Sequence, residues 1–316
     1  MAPTPLPPNP STASPERIAE LAAIVALIRA NTTPVDQLAA RMEYYGAAVE
    51  LLRPERANEE GALGLEPVVP ETDLAEAVRE VQTWVDAGYD VRTALDPDYP
   101  ENLLGIFNRP PLLFVRGVFD PARDSRGVAI VGAREATEEG LRRAGQLSRD
   151  IAGAGFTVFS GLARGIDTAV HATALKFGGR TLAVMGTGID RIYPAENEVL
   201  ADRILESGGA LLSQFFPHQP PTQWTFPKRN VVMSGLALAT VVVEASATSG
   251  ARLQARVALE HGRTVFLLIS LVERHEWARR AVEEGVKGTR ALVVRNSADI
   301  LARLGATIED TDGALV

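Results

Sequence analysis

From Pro15 onward apolar residues recur with a helical period, at Ile18, Leu21, Ile24, Val25 and Ile28, which predicts a first helix. Asn31-Thr32-Thr33-Pro34 ends it and caps a second helix over 35–41, and a third is expected over 46–52. Leu74, Val78, Val81, Trp84 and Val85 give an amphipathic helix over 72–87. Short strands are expected at 89–93 and 112–115. After Gly127 the pattern changes. Runs at 128–131, 156–159, 181–185, 210–213, 239–243 and 264–269 are apolar or nearly so, without the alternation of a half-exposed strand. Helical stretches fall between them, near 137–152, 165–177, 196–206 and 250–261. The tail adds a helix over 273–284, a strand over 291–294 and a helix over 298–304.

Strands buried on both faces and alternating with helices make an α/β protein, a Rossmann-like, doubly wound and mainly parallel sheet. The predicted organisation is a disordered segment (1–14), a small N-terminal helical module (15–53), a linker (54–70), the sheet domain (71–305) and a tail (306–316). Pro3, Pro5, Pro7, Pro8 and Pro10 with no large apolar cluster account for the first of these, and a Glu-, Gly- and Pro-rich composition for the linker.

Composition narrows the chemistry. The chain has 316 residues and no cysteine, so thiolate catalysis and cysteine-held zinc are excluded. No apolar run reaches the length of about 18 residues that a membrane span needs, and a cytoplasmic protein is expected. The net charge of −8 argues at first against a nucleic-acid binder. Its distribution reverses that. Residues 1–125 hold 10 Lys and Arg against 20 Asp and Glu, while 126–263 hold 15 against 12. The Gly-rich part is mildly basic.

Ligands of open α/β sheets bind beyond the carboxyl ends of the strands. Here those ends carry Gly132-Ala133-Arg134, Ser160-Gly161-Leu162-Ala163-Arg164-Gly165, Gly186-Thr187-Gly188 and the stretch from Ser246 to Gly250. Glycines let a backbone approach phosphate oxygens, and the N–H groups of a helix start donate to them. Arg134 and Arg164 add charge, so an anionic ligand is expected. There is no Gly-x-Gly-x-x-Gly and no Gly-Lys-Ser/Thr, so neither NAD binding nor ATP hydrolysis is supported. Phe226-Pro227-Lys228-Arg229-Asn230 joins an aromatic, two cations and an amide, a mixture suited to a strand of nucleotides. Phe226 is placed in the core rather than on a base. Asp167 and His171 stand four apart on one helix face, as an acid–base pair or as a cap on the preceding loop; the cap is preferred. Glu244 ends a strand and either meets a ligand hydroxyl or ties down the 246–249 loop. The four histidines show no metal-ligand spacing, so no metal site is expected.

Together these motifs resemble the DNA-processing protein A family, from about Val91 to Leu268. Asp96-Pro97-Asp98-Tyr99-Pro100 and Pro110-Pro111-Leu112-Leu113-Phe114-Val115-Arg116-Gly117 are similar to its lead-in. Val128-Ala129-Ile130-Val131-Gly132-Ala133-Arg134, the Ser160 to Asp167 stretch with His171, Gly186-Thr187-Gly188-Ile189-Asp190, Tyr193-Pro194, Asn197, Phe226 to Asn230, Val243-Glu244-Ala245 and Ser249-Gly250 follow its order. The resemblance implies sequence-independent binding of single-stranded DNA, its protection, and loading of a RecA-type recombinase in natural transformation and recombination. It implies a homodimer, a SAM-like fold for 15–53, no cofactor and no catalysis. The DNA-binding residues would be Gly132, Arg134, Ser160, Gly161, Arg164, Lys228, Arg229 and Asn230, with Ser249 and Gly250 at the next helix start. Departures are Val231 in place of an arginine, Gln214 in place of a glutamate, and Ile269-Ser270 in place of Pro-Gly. The amphipathic 273–287 segment is unusual, and the family's C-terminal winged helix is expected to be lacking. Two alternatives stand beside this reading. One is an antitoxin-like regulatory partner in a phage-defence pair, with a toxin as partner. The other is a nucleotide-binding sensor or enzyme. Against the enzyme, the Pro-Gly-Gly-x-Gly-Thr-x-x-Glu motif of phosphoribohydrolases on this sheet is absent.

Overall fold

A computed structural model describes residues 14–31, 33–53 and 69–305. The stretches expected to be disordered, linker and tail therefore lie outside the described residues, apart from Ser14, Val69 and Pro70. Two helices open the chain, α1 (Pro15–Ala30) and α2 (Val35–Tyr45). The third expected helix is only a 3-10 turn at Val49–Leu52. Gly46, at φ +80°, stops α2, and the Glu20 carboxylate takes the N–H groups of Ala48 and Val49 that a longer helix would have used. Next come α3 (Glu71–Asp86), β1 (Asp90–Thr93), α4 (Glu101–Leu104), β2 (Leu112–Gly117) and α5 (Pro121–Asp124).

The alternating part follows. It runs β3 (Gly127–Val131), α6 (Glu138–Gly153), β4 (Thr157–Ser160), α7 (Ile166–Lys176), β5 (Thr181–Val184), α8 (Glu198–Glu206) and β6 (Ala210–Ser213). It continues with α9 (Thr225–Leu236), β7 (Ala239–Val242), α10 (Gly250–Glu260), β8 (Thr264–Leu268), α11 (Ile269–Arg274), α12 (Glu276–Glu283), β9 (Leu292–Val294) and α13 (Ser297–Arg303). The helix expected over 273–284 is thus two helices. His275 is extended at φ −125°, ψ 124°. Its N–H closes α11 on the Leu271 carbonyl, and its own carbonyl starts α12.

The strands form one sheet in the order β1-β2-β6-β5-β4-β3-β7-β8-β9. Only the β1–β2 and β2–β6 pairs are antiparallel. The chain winds outward from β3 through β4 and β5 to β6, then returns to β7 on the other side of β3 and winds out to β9. The direction reverses at β3, the place where such sheets open a crevice at their carboxyl edge.

Side chains alternate between two cores, as the strand period requires. Along β3, Val128 and Ile130 pack with α6, α7 and α13, while Ala129 and Val131 face the layer of α4, α9 and α10. Phe159, Ile130 and Phe266 are fully buried, each stabilising the fold by about 1.5–3 kcal/mol. The N-terminal helices do not stand apart from the sheet. Leu21, Ile24 and Leu38 share a core with Phe114, Ala183 and Leu211 of the strands. Trp84 of α3 meets the Phe114 ring edge-on at 5.1 Å, and Arg17 of α1 grips Asp96 and the Val91 carbonyl.

Candidate nucleic-acid interface

The loops after β3, β4 and β7 converge with the start of α9 on a cleft of about 560 Å³ at the switch point. Two of these loops touch backbone to backbone. Gly165, at φ +73°, lies so close to the β3 loop that a Cβ would stand 2.5 Å from the carbonyl oxygens of Ala133 and Arg134. Only glycine permits both that conformation and that approach. Ser249 caps α10 by accepting from the Arg252 N–H, so the α10 N-terminus opens onto the cleft beside Gly250.

Of the residues singled out in the sequence, the fold brings Gly132, Arg134, Arg229, Asn230, Ser249 and Gly250 to the cleft wall. Arg134 is exposed. Its guanidinium lies 5.1 Å from the centre of the Phe226 ring, and it meets no carboxylate among the described residues. Phe226 is half-buried, packed over Gly186 and 5.9 Å from the exposed Tyr193 ring. Lys228, which follows the cleft-lining Pro227 but does not itself line the cleft, is exposed and lies 4.9 Å from the ring of Trp224, itself 48 % exposed.

Other predicted residues are placed elsewhere. Ser160 is fully buried and donates to the Ile130 carbonyl at 2.7 Å. Gly161 is buried against the Arg229 guanidinium, where a Cβ would stand 1.7 Å from Nη1. Arg164 is exposed and held by Glu196 in a two-pronged pair at 2.5 and 2.7 Å, which raises the pKa of the arginine and lowers that of the glutamate.

Arg229 is buried. Its Nη1 donates to the carbonyls of Gly161 (2.8 Å) and Val184 (2.9 Å), its Nε donates to Asn230 Oδ1 (3.2 Å), and its Nη2 donates to no described residue. Asn230 in turn donates to the Gly250 carbonyl. Asp167 Oδ2 accepts from the N–H groups of Gly161 (3.1 Å) and Ala163 (3.4 Å), which makes it the cap of its loop. Burial pushes the Asp167 pKa up, against the pull of Arg229, and burial also lowers that of Arg229. His171 is bonded not to Asp167 but to Thr181 Oγ1 at 2.7 Å. Burial, helped by the charge of Arg229, pulls its pKa down to about 3, so the ring is neutral. A neutral imidazole and a capping carboxylate with no bond between them lack the geometry of a proton-transfer pair. Glu244 is not bonded to the 246–249 loop; it accepts from Thr137 N–H and Oγ1 at the start of α6.

Sequence reasoning passed over Trp224 and Gln254. Trp224 follows a Pro-rich loop with no periodic neighbours to bury it. Gln254 interrupts the Ala251, Ala255, Ala258 face of α10. It is 1 % exposed and lines the cleft, and neither amide atom has a partner among the described residues.

Comparison with known proteins gives a consistent result. The family profile for DNA recombination-mediator protein A matches residues 90–310. Protein Smf of Synechocystis is 39 % identical over 215 residues, 67 % of this chain and 53 % of that protein. Protein Smf of Escherichia coli is 43 % identical over 170 residues, 54 % of this chain and 45 % of that one. The chain thus spans about half the length of these two relatives. DNA processing protein DprA of Streptococcus pneumoniae is 35 % identical over 210 residues, 66 % of this chain and 72 % of that protein. The crystal structure of the S. pneumoniae protein superposes with a TM-score of 0.67 at 29 % identity, covering 89 % of this chain and 96 % of that one. DNA processing protein A from Helicobacter pylori, described for its single-stranded DNA binding mode, shares the fold with a TM-score of 0.58 at 23 % identity. That match covers 68 % of this chain and 95 % of that one.

Proposed function

The chain belongs to the DNA recombination-mediator protein A family, and from that premise we propose that its switch-point cleft binds single-stranded DNA irrespective of sequence. One observation carries the reading: two cations without carboxylate partners lie on aromatic faces, Arg134 of the cleft wall on Phe226 and, at the start of α9, Lys228 on the exposed Trp224. Cations without carboxylate partners attract phosphates. The exposed rings of Trp224 and Tyr193 offer a stacking surface that any unpaired base fits, and a paired base is not free to use it. The α10 N-terminus and the unused Nη2 of Arg229 add donors for phosphate oxygens within the cleft. The H. pylori relative is described as binding such a strand, and the cleft chemistry here suits the same ligand.

In this reading the protein holds a strand and catalyses no step; the neutral His171 and the capping Asp167 support that half of it. Protection of the strand, loading of a RecA-type recombinase and self-association as a homodimer in the cytoplasm belong to the same proposal. Family membership supports these, and the cleft supports only the binding.

The test is fluorescence anisotropy with a labelled single strand and the same strand as duplex. The single strand is expected to bind more tightly, with a steep dependence on salt. Arg134→Ala and Lys228→Ala should each weaken binding of every sequence alike, and each should reduce the slope of log K against log salt by about 0.7 per lost phosphate contact. Parent-like binding by both variants would show the proposed cleft to be wrong.

A further inference from the structure

Gln254 stands where the spacing of α10 calls for an apolar residue. With Ala251, Ala255 and Ala258 it makes the buried face of the helix. Neither its Nε2 nor its Oε1 has a partner among the described residues. The buried polar groups around it differ in this. Ser160 donates to the Ile130 carbonyl, Asn230 donates to the Gly250 carbonyl, and Asp167 accepts from loop N–H groups. A native interior rarely leaves an amide unmet at both atoms, because the hydrogen bonds lost to water are not replaced. Gln254 also lines the cleft, with Val131, Met233, Ala251 and Leu253 as apolar neighbours along the same wall. No hydrogen bond holds its amide, so none breaks when the side chain turns toward a ligand there.

We propose that the cleft takes in one base of the bound strand and that the Gln254 amide pairs with the Watson–Crick edge of that base, whichever base it is. The inference rests on the reading of the cleft as a single-strand site. Phosphates already have their donors in Arg134, the α10 start and Arg229 Nη2. A phosphate only accepts, so on Gln254 it would leave Oε1 unmet. An amide presents a donor beside an acceptor, and so does the pairing edge of every base: N3–H and O4 in thymine, N4–H and N3 in cytosine, N1–H and O6 in guanine, N6–H and N1 in adenine. An amide that turns over fits all four. A base already paired in a duplex has no such edge to offer. One side chain thus serves both the indifference to sequence and the preference for a single strand.

The experiment measures anisotropy of a labelled oligothymidylate of about 10 nucleotides, within the span of single binding folds, and of the same strand built from N3-methylthymidine. The methylated strand keeps its phosphates and ring faces but has its pairing edge blocked at every position. The protein is the full chain, as parent, as Gln254→Met and as Arg134→Ala. The parent should bind the ordinary strand roughly tenfold more tightly than the methylated one. Gln254→Met should bind the ordinary strand as weakly as the parent binds the methylated one, lose nothing further on methylation, and keep the parent's salt slope, since no phosphate contact is lost. An oligodeoxycytidylate should lose the same factor. Arg134→Ala should weaken both thymine strands and make the slope shallower. Parent-like binding of the ordinary strand by Gln254→Met overturns the inference and leaves the cleft standing. Equal weakening of both thymine strands overturns it too, because the residue would then only shape the cleft, as does a loss confined to one base. Parent-like binding of both strands by Arg134→Ala overturns the cleft reading instead. In urea, Gln254→Met should unfold at the parent's midpoint or above it, because it removes a buried polar group without a partner. A lower midpoint would mean that the amide is satisfied in the free fold, and it too overturns the inference.

Discussion

At the amino ends of β4 and β5, Asp124 and Arg180 form a closed set of bonds; at the carboxyl ends of the same two strands, Asp167 and Arg229 do not. Asp124 is buried and accepts from Arg180 Nε (2.5 Å) and Nη2 (2.7 Å), from Thr157 Oγ1 (2.8 Å) and from Asp120 N–H (2.9 Å). Arg180 also donates to the carbonyls of Gly208 and Val118, both at 2.7 Å. At the other end no ion pair joins Asp167 to Arg229. Each bonds mainly to backbone, Arg229 keeps an unused Nη2, and the pKa of each is pushed by burial toward its uncharged form. Burying charge is costly unless the partners are complete. The amino end is complete within the chain and has a structural role. The carboxyl end is completed by an anion in the cleft, on the proposal above.

Substitutions at the two ends should therefore separate stability from binding. The largest effect is expected for Arg180→Met, which strands Asp124 in the interior. Urea unfolding should show a loss of about 3–5 kcal/mol, while the folded protein binds a single strand as tightly as the parent. A matching loss of affinity would erase the distinction between the ends.

Gly161→Ala tests the open end. Its Cβ falls on the Arg229 guanidinium, which must leave the Gly161 and Val184 carbonyls. A loss of about 1–3 kcal/mol in stability is expected, together with weaker strand binding, seen by unfolding and anisotropy on one sample. Unchanged affinity would show that Arg229 does not serve the cleft.

The smallest effect concerns His171, which bonds toward the amino end and feels the charge of Arg229. Its folded pKa of about 3 lies below the ordinary 6.5. Below about 6.5 the unfolded chain takes up a proton that the folded one refuses, so this stability is full above that pH and is lost as the pH falls toward about 3. Between about pH 7 and about pH 5 the parent should lose roughly 1–2 kcal/mol more than His171→Met. Equal losses would mean that His171 is protonated in the fold, reopening its pairing with Asp167.

Much of the fold was legible because it is written in local periods. The Ile18 to Ile28 pattern became α1, the apolar runs became parallel strands, and Thr137 and Ser249 cap the helices they precede. The site was legible as a set of strand ends with Gly and Arg. The break of the 273–284 helix at His275 was not, because the N–H that closes α11 and the carbonyl that starts α12 both belong to a single extended residue, and no change of period marks it.

The sequence by itself determined that the sheet is mainly parallel, that its carboxyl edge carries glycine loops, and that the basic charge gathers in that half of the chain. Only the tertiary structure decided which cations are available. Arg164 and Arg229 look alike as sequence, but one is spent on Glu196, 32 residues away, and the other is buried on Gly161, 68 residues away. Arg134 remains unpaired because the ring that comes to lie against it, Phe226, is apolar. Pairing between groups distant in sequence depends on which loops the sheet order brings together, and no local pattern encodes that order.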